Sequence, residues 1–370
     1  MRLHNIYTGK RVLITGHTGF KGAWLSEWLL SLGAELCGFS LSPPTTPSLF
    51  EQLGLAARMR HVLGDVRDMA AVQAVVDDFK PQFVFHLAAQ PLVRLSYEIP
   101  IETYATNVMG TAHVLEAIRK SCLKCAVVVI TTDKCYDNQE WLHSYRESDP
   151  MGGYDPYSSS KGAAELVISA YRRSYFHADS PVKLASARAG NVIGGGDWAL
   201  DRIVPDCIRS LKTNSVIPVR NRIATRPWQH VLEPLSGYLW LGAAISNQQH
   251  ALFHFESSLY ESGFNFGPAL TSNRTVADLV QEVLKHWPGQ WEDRSDPKAV
   301  HEAKLLNLAT DKAFHLLKWA PVWGFEETIR QTIEWYRQGD TASDLAAMTR
   351  RQIQSYSQGA LKKGLAWALD

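Results

Sequence analysis

Arg11-Val-Leu-Ile-Thr15, then Gly16-His-Thr-Gly19-Phe-Lys-Gly22, then Ala23-Trp-Leu-Ser-Glu-Trp-Leu-Leu-Ser-Leu32 stand in a row near the start of the chain. The five-residue run with buried-strand character, the three glycines and the helical apolar pattern read as strand, tight loop and helix. Glycine at those three steps permits the turn, close backbone approach to a pyrophosphate, and close packing of helix on strand. The helix N-terminus then offers free N–H groups and partial positive charge to the phosphates. A glycine triplet by itself reads equally well as an ordinary turn. Here the strand before it and the helix after it make it a dinucleotide site.

Outward from this unit the same beat continues. Short apolar strands are readable at Glu35–Ser40, His61–Leu63, Phe83–His86, Ala126–Thr131 and Lys183–Ala187. Helical segments at Ala70–Phe79, Ile101–Lys120 and Ser158–Ser174 lie between them. Strands joined through single helices need crossover connections, which predicts an α/β fold with a doubly wound parallel (Rossmann) sheet. After about Gly190 the beat breaks at Gly194-Gly195-Gly196 and at several prolines. Ten of the twelve tryptophans lie after residue 140, where they read as irregular core filling and loop anchors. The change of texture predicts a cofactor domain over 1–190, completed by a returning segment near 228–255. A second, smaller substrate-binding domain is expected over 191–370.

The chain has 370 residues, with 38 basic against 37 acidic and a formal net charge of +1. That balance lacks the electrostatic footprint of a nucleic-acid binder, so no nucleic-acid partner is expected. Hydrophobic residues make up 45% and charged residues 20%, the proportions of a packed globule. The longest apolar stretches, such as Cys125–Ile130, are too short to span a bilayer, and no membrane partner is expected. Met1 to Lys10 carries no apolar signal segment and is read as running almost straight into the first strand. Five cysteines, an odd and modest number, read as reduced thiols of a cytoplasmic enzyme.

Strand two ends in Phe39-Ser40-Leu41-Ser42, without the acidic residue expected for NAD or an immediate arginine for a 2′-phosphate. The missing arginine favours NAD as cofactor, with Ser40 beside the ribose. Gly64-Asp65-Val66 closes strand three, where Asp65 and Val66 would meet the adenine. Leu87-Ala88-Ala89 closes strand four with residues small enough to let backbone approach the cofactor.

Tyr157 and Lys161 are four apart on a predicted helix and so share one face. A nearby ammonium stabilises a phenolate, which would make the tyrosine usable as a base near neutrality. Such a pair by chance is common, but after a glycine loop in this order it is specific. Thr132 closes strand five, where its hydroxyl could share the same substrate oxygen.

With these residues in place, the chain resembles the extended short-chain dehydrogenase/reductase family over most of its length. Within that family, Thr132-Asp133-Lys134 is similar to the signature of the nucleotide-sugar 4,6-dehydratases. Longer stretches resemble the branch that acts on CDP-glucose. They are Pro47-Ser-Leu-Phe-Glu51, Ala88-Ala-Gln-Pro-Leu-Val-Arg-Leu-Ser-Tyr97, Asp133-Lys-Cys-Tyr-Asp-Asn138, Met151-Gly-Gly-Tyr-Asp-Pro-Tyr-Ser158, Ala189-Gly-Asn-Val-Ile-Gly-Gly-Gly-Asp-Trp198 and Arg226-Pro-Trp-Gln-His-Val231. The TDP-glucose and GDP-mannose enzymes carry glutamate where this chain has Lys134. That departure prevents carry-over of a glutamate base and is also what points to the CDP-sugar branch.

The resemblance implies NAD-dependent loss of water from a nucleotide-sugar substrate, CDP-glucose, for deoxysugars of bacterial surface polysaccharides. By that likeness Tyr157 takes the O4 proton, Lys161 holds the phenolate and the nicotinamide ribose, and Thr132 bonds O4. Hydride leaves C4 for the cofactor and returns to C6, while Asp133 protonates the departing C6 hydroxyl. The C5 base stays open between a neutral Lys134 and a water beside a charged one. Gly16, Gly19, Phe20 and Gly22 are implied to hold the cofactor. Asn191 and Arg226 are implied at the substrate diphosphate, where a guanidinium can meet two oxygens at once. Gln90, Arg94 and Arg220 are further substrate candidates. The helices at 101–120 and 158–174 are implied to pair across a two-fold, giving a homodimer or homotetramer.

Other patterns are set aside. Cys122-Leu-Lys-Cys125 has redox or zinc spacing but no second pair, and no metal is expected. His250 and His254 are four apart without the glutamate a zinc protease needs. His17 reads as packing within the glycine loop. Three rival functions stay open: a nucleotide-sugar 4-epimerase, which would need no acid at Asp133, a dehydratase acting on another nucleotide-sugar, and a non-catalytic NAD-binding protein, which would need no Tyr157–Lys161 pair.

Overall fold

Seven short apolar runs pair side by side, every one in the same direction. In the computed structural model, which describes residues 2–246, 255–295, 305–339 and 344–369, they are β1 (Arg11–Thr15), β2 (Glu35–Ser40), β3 (Arg60–Leu63), β4 (Phe83–His86), β5 (Cys125–Ile130), β6 (Val182–Arg188) and β7 (Gly263–Asn265). The sheet order is β7-β6-β5-β4-β1-β2-β3, all parallel. The order reverses at β1, which opens a crevice beyond the carboxyl ends of β1 and β4. Thr15 pairs with both Phe39 and His86, so Gly16 and Leu87 leave the sheet side by side at that crevice.

Helices α1 (Phe20–Ser31), α2 (Met69–Phe79), α3 (Gly110–Ser121), α4 (Pro156–Ser174) and α5 (Leu232–Ser246) cover the two faces. Alternation along the strands feeds two separate cores. Val12, Ile14, Val128 and Ile130 point into one with Trp24, Trp28 and Leu239; Leu13, Val127 and Val129 point into the other with Val76, Val114 and Ile168.

The first core continues into the second half of the chain. Trp28 meets Tyr356 and Trp367 edge-on, with ring centroids 5.9 and 6.0 Å away. The Trp240 and Trp319 indoles donate to Leu317 O at 2.7 Å and Ser236 Oγ at 2.8 Å. Glu27, fully buried on α1, is paired with Arg58 at 2.6 Å and Arg350 at 2.9 Å. Two guanidiniums offset the desolvation of that carboxylate, so the helix Leu345–Lys362 is locked onto α1. No described helix is long and apolar enough to cross a membrane.

Three local expectations change. Arg2–Tyr7 forms a helix before β1, because Leu3 and Tyr7 share a buried face and the Tyr7 hydroxyl donates to Leu239 O at 2.7 Å. The stretch expected as one helix from Ile101 to Lys120 is Pro100–Tyr104, a π-helical turn at Ala105–Met109, and then α3. The wider turn carries Asn107, whose amide accepts from Gln90 N at 2.8 Å and donates to Ser160 Oγ at 2.8 Å. The returning stretch near 228–255 contributes α5, packed on β5 and β6, but the strand that extends the sheet is β7, which begins eight residues beyond it. Residues 247–254, with His250 and His254, lie outside the described residues.

Candidate active site

The glycine loop fits a pyrophosphate. Gly16 has φ +77°, and a Cβ there would come within 2.7 Å of Ala88 N. A Cβ on Gly22 would come within 2.6 Å of His17 Cα, so the helix can approach the loop only as glycine. Gly19 is the N-cap of α1 and offers no capping side chain, while its own Cβ position would touch only Gly16 O, at 3.4 Å. The first N–H groups of α1 therefore face a cradle that a side chain would fill. Phe20 is half-buried at the helix start, close to where a side chain on Gly194 would project.

Around the cradle, Ser40 Oγ lies 2.8 Å from Thr18 Oγ1, which also donates to Leu41 O at 3.0 Å. Asp65 is held by its own turn, accepting from Arg67 N at 2.9 Å and from the Arg67 guanidinium at 2.6 and 2.8 Å. Val66 is buried beneath Gly110. Leu87, Ala88 and Ala89 follow β4 along the crevice, and Ala88 N donates to Thr15 Oγ1 at 3.3 Å. His17 packs against Phe50 and His61, with Gly38 leaving room for its ring.

The helix that carries the reactive pair begins well. Asp155 caps α4, accepting from Ser158 N at 2.9 Å, and Pro156 fills the first turn. Tyr157 and Lys161 are both buried on one face, and Lys161 Nζ donates to Ile130 O at 3.4 Å. Behind them Glu165 accepts from Thr131, Ser186 and Arg188, which fixes the helix against β6.

Burial disfavours the charged form of both groups in this pair. It pushes the Tyr157 phenol up to about 12, partly relieved by the hydrogen-bonding Thr132 hydroxyl. It also brings the Lys161 ammonium down to about 8.

Thr132 is the N-cap of a single 3₁₀ turn over Asp133–Cys135. Its hydroxyl donates to Asp133 Oδ1 at 2.9 Å, and Asn191 Nδ2 donates to Oδ2 at 3.3 Å. Asp133 is buried, and Gly190 runs so close that any side chain there would overlap its carboxylate. Lys134, on the same turn, is half-buried.

Three residues that the sequence reading passed over complete the group. Lys21, inside the glycine loop, reaches the Tyr238 hydroxyl on α5 at 3.4 Å. Its ammonium is brought down to about 7, first by burial and then by Arg202 and Lys161, with Asp133 opposing. Arg202 is paired with Asp197 at 2.8 Å. A lysine inside the quoted loop was the available signal; Tyr238 and Arg202 carried none.

The remaining candidates separate. Arg94 and Arg220 converge on Asp201, Arg94 at 3.9 Å, and Arg220 also binds Asp206 at 2.6 Å. Asn191, in a left-handed conformation at φ 50°, is brought to Asp133. Arg226 sits in a short strand paired with Asn273–Thr275, its guanidinium donating to Thr225 O at 2.8 Å. Gln90 is occupied by its own loop: its amide donates to Leu92 O at 3.1 Å and Thr103 Oγ1 at 2.9 Å and accepts from Leu92 N at 2.6 Å. Cys122 is exposed at the end of α3 and Cys125 buried in β5, both as free thiols, and no metal-holding cluster occurs among the described residues.

Comparisons with known proteins bear on the family and the fold. The model of the GDP-mannose 4,6-dehydratase family matches residues 13–332. The CDP-glucose 4,6-dehydratase of Salmonella typhimurium is 48% identical over 360 residues, 95% of this chain and 97% of that protein. The Thermus thermophilus UDP-glucose 4-epimerase, solved with NAD, superposes with a TM-score of 0.72 at 25% identity, over 88% of this chain and 99% of that one. The Streptomyces venezuelae dTDP-glucose 4,6-dehydratase, solved with NAD and TYD, shares the fold with a TM-score of 0.75 at 22% identity, over 90% and 99% of the two chains.

Proposed function

The chain belongs to the GDP-mannose 4,6-dehydratase family, and from that premise we propose that it acts as a hydro-lyase converting CDP-glucose to CDP-4-dehydro-6-deoxyglucose. The observation that carries this reading is the buried Asp133 carboxyl, which accepts from the Thr132 hydroxyl at 2.9 Å on a turn packed against α4. An epimerase works only at C4 and has no departing hydroxyl to protonate. A dehydratase needs an acid there.

The cofactor is NAD, which when bound takes hydride from C4 and returns it to C6. Tyr157 removes the O4 proton while Thr132 bonds O4, and Lys161 stabilises the phenolate and orients the nicotinamide ribose. The loop glycines and the α1 N-terminus hold the pyrophosphate. Asp133 gives its proton to the C6 hydroxyl as it leaves. Lys134 acts at C5 either as a neutral amine taking the proton or as a charge stabilising the enolate while water takes it. Solvent-deuterium exchange at C5 in Lys134→Ala separates the two.

Asn191, Arg226, Arg94 and Arg220 serve the nucleotide diphosphate side, with Gln90 shaping the loop beside it. The cofactor side is drawn mainly from 1–190 and the nucleotide-sugar side from the later residues. Ile101, Met109 and Leu166, exposed on neighbouring helices, support at least a dimer across that face. Five free thiols support a cytoplasmic setting.

The test is direct. Purified protein is incubated with CDP-glucose, TDP-glucose or GDP-mannose separately, and the products are assayed for a 4-keto-6-deoxy sugar. An isomerised sugar in place of the ketone would favour the epimerase.

A further inference from the structure

We infer that His86 is a positioning residue for C4 oxidation, its ring joining the strand that leads into the glycine loop to the helical turn that carries Tyr157. This rests on the reading of Tyr157 as the O4 base given above. His86 ends β4 directly beside Thr15, the last residue of β1 before Gly16. Thr15 Oγ1 lies 2.6 Å from His86 Nδ1 and accepts from Ala88 N at 3.3 Å. On the far side of the ring, Nε2 lies 3.1 Å from Thr111 Oγ1, which donates to Asn107 O at 2.7 Å. The Asn107 amide, on the π-helical turn, donates to Gln90 O at 3.1 Å and to Ser160 Oγ at 2.8 Å. Ser160 Oγ donates in turn to Tyr157 O at 2.7 Å. Tyr157 N, which has no partner within the first turn of α4, donates to Ser96 Oγ at 3.1 Å.

Counting protons fixes the direction of this line. Thr111 has one hydroxyl proton, and it goes to Asn107 O. His86 Nε2 must therefore carry the hydrogen that meets Thr111. Burial keeps the imidazole neutral by bringing its conjugate acid down to about 3. A neutral ring protonated on Nε2 accepts at Nδ1, so Thr15 donates there. Every donor in the line then has an acceptor, from Ala88 N through to Tyr157 O.

Thr15, His86, Asn107, Thr111 and Ser160 are all buried. A shift of any one of them would leave its neighbour unpaired away from water, so a fully satisfied line resists displacement. Core filling alone would be served as well by valine at the threonines and an apolar ring at position 86. The polar line does more, because its ends are functional. One end lies at Ala88, whose N is only 2.7 Å from where a Gly16 Cβ would sit, at the pyrophosphate cradle. The other is the backbone of Tyr157. Hydride leaves C4 for the cofactor while the O4 proton goes to Tyr157, so the two acceptors must keep register over one carbon–oxygen bond. A misplacement of about 1 Å in such an arrangement costs on the order of 10²-fold in rate.

Stopped-flow reduction of bound NAD by CDP-glucose, at saturating cofactor, tests the line, with the NAD Kd and the Tm measured on each variant. Thr111→Val should slow cofactor reduction by about tenfold or more with the NAD Kd unchanged. Thr111→Ser should restore the rate. His86→Asn keeps an acceptor for Thr15 but does not reach Thr111, and should be slow in the same way. Thr15→Val combined with Thr111→Val should be no slower than the slower single variant, since a line already cut is not cut further. If His86→Asn fails to fold, the threonine variants carry the test. Wild-type reduction rates in a folded Thr111→Val protein whose Tm has fallen would make the line core structure only, and the inference wrong. So would a double variant that multiplies the two single losses. A wild type that neither reduces its cofactor nor makes a keto sugar from any of the three nucleotide sugars would instead overturn the dehydratase reading, and this inference with it.

Discussion

The Asp133 carboxylate occupies the space that any side chain on Gly190 would need. These residues are 57 positions apart, and only the juxtaposition of the turn after β5 with the loop after β6 brings them together. Asp133 is thus fixed from three sides, by Thr132, Asn191 and the bare backbone of Gly190.

Gly190→Ala should therefore displace the acid without touching the base. C4 oxidation is expected to continue, seen as reduced-cofactor absorbance after substrate is added, while release of dehydrated product falls on the order of 10²-fold or more. Asp133→Asn should give the same pattern. Loss of the absorbance change in Gly190→Ala, with substrate still bound, would place the defect elsewhere.

Tyr157→Phe removes the proton acceptor for O4 but keeps the ring that packs at the start of α4. Turnover is expected to drop on the order of 10²–10⁴-fold with the fold and cofactor affinity retained. Near-normal turnover in a folded variant would remove Tyr157 from the mechanism.

Gly19→Val addresses the cradle. The φ of Gly19, −77°, is open to any residue, and only Gly16 O lies near its Cβ position, so the variant should fold. Its branched side chain would project into the pyrophosphate space and abolish NAD retention. A variant that purifies with a full complement of NAD would show that the phosphates bind elsewhere.

Cofactor affinity should also depend on pH through two lysines. Burial lowers Lys21 to about 7 and Lys161 to about 8. Each is charged below its own value, so attraction for the anionic cofactor is present at lower pH and fades as pH rises through 7 and then 8. Titrating NAD from about pH 6 to about pH 9 should give a Kd that weakens across this range. Lys21→Met should remove the lower limb only. A pH-independent Kd would mean that neither ammonium faces the cofactor.

Glu233 predicts a separate effect on stability. It is fully buried on α5, accepting from Val322 N at 2.9 Å, Trp323 N at 2.7 Å and the Tyr356 hydroxyl at 2.7 Å, and burial raises its carboxyl to about 7. A carboxyl raised on folding favours the folded state most below its ordinary value of about 4.3 and loses that advantage as pH climbs to 7. The loss is about 3 kcal/mol, level above neutrality. Urea unfolding at about pH 5 and about pH 8 should show it in the wild type, and Glu233→Gln should flatten it. An unchanged slope in the variant would assign the pH effect to other groups.

What the sequence determined by itself is local. The step from Thr15 through Gly16, Gly19 and Gly22 into a helix places phosphate-binding N–H groups whatever follows, because it depends only on neighbouring backbone angles. Tyr157 and Lys161 share a face because a helix returns to the same side every four residues. Strand and helix spacing likewise required crossovers and hence a parallel sheet. Tertiary structure alone decided how deeply Tyr157 is buried, since that depends on what packs around the phenol. It also brought Lys21 to Tyr238, Gly190 to Asp133, and both Arg94 and Arg220 to Asp201. These partners lie from 19 to more than 200 residues apart, so no periodicity in the chain links them. They meet because the crossovers deliver the carboxyl ends of separate strands to one edge of the sheet.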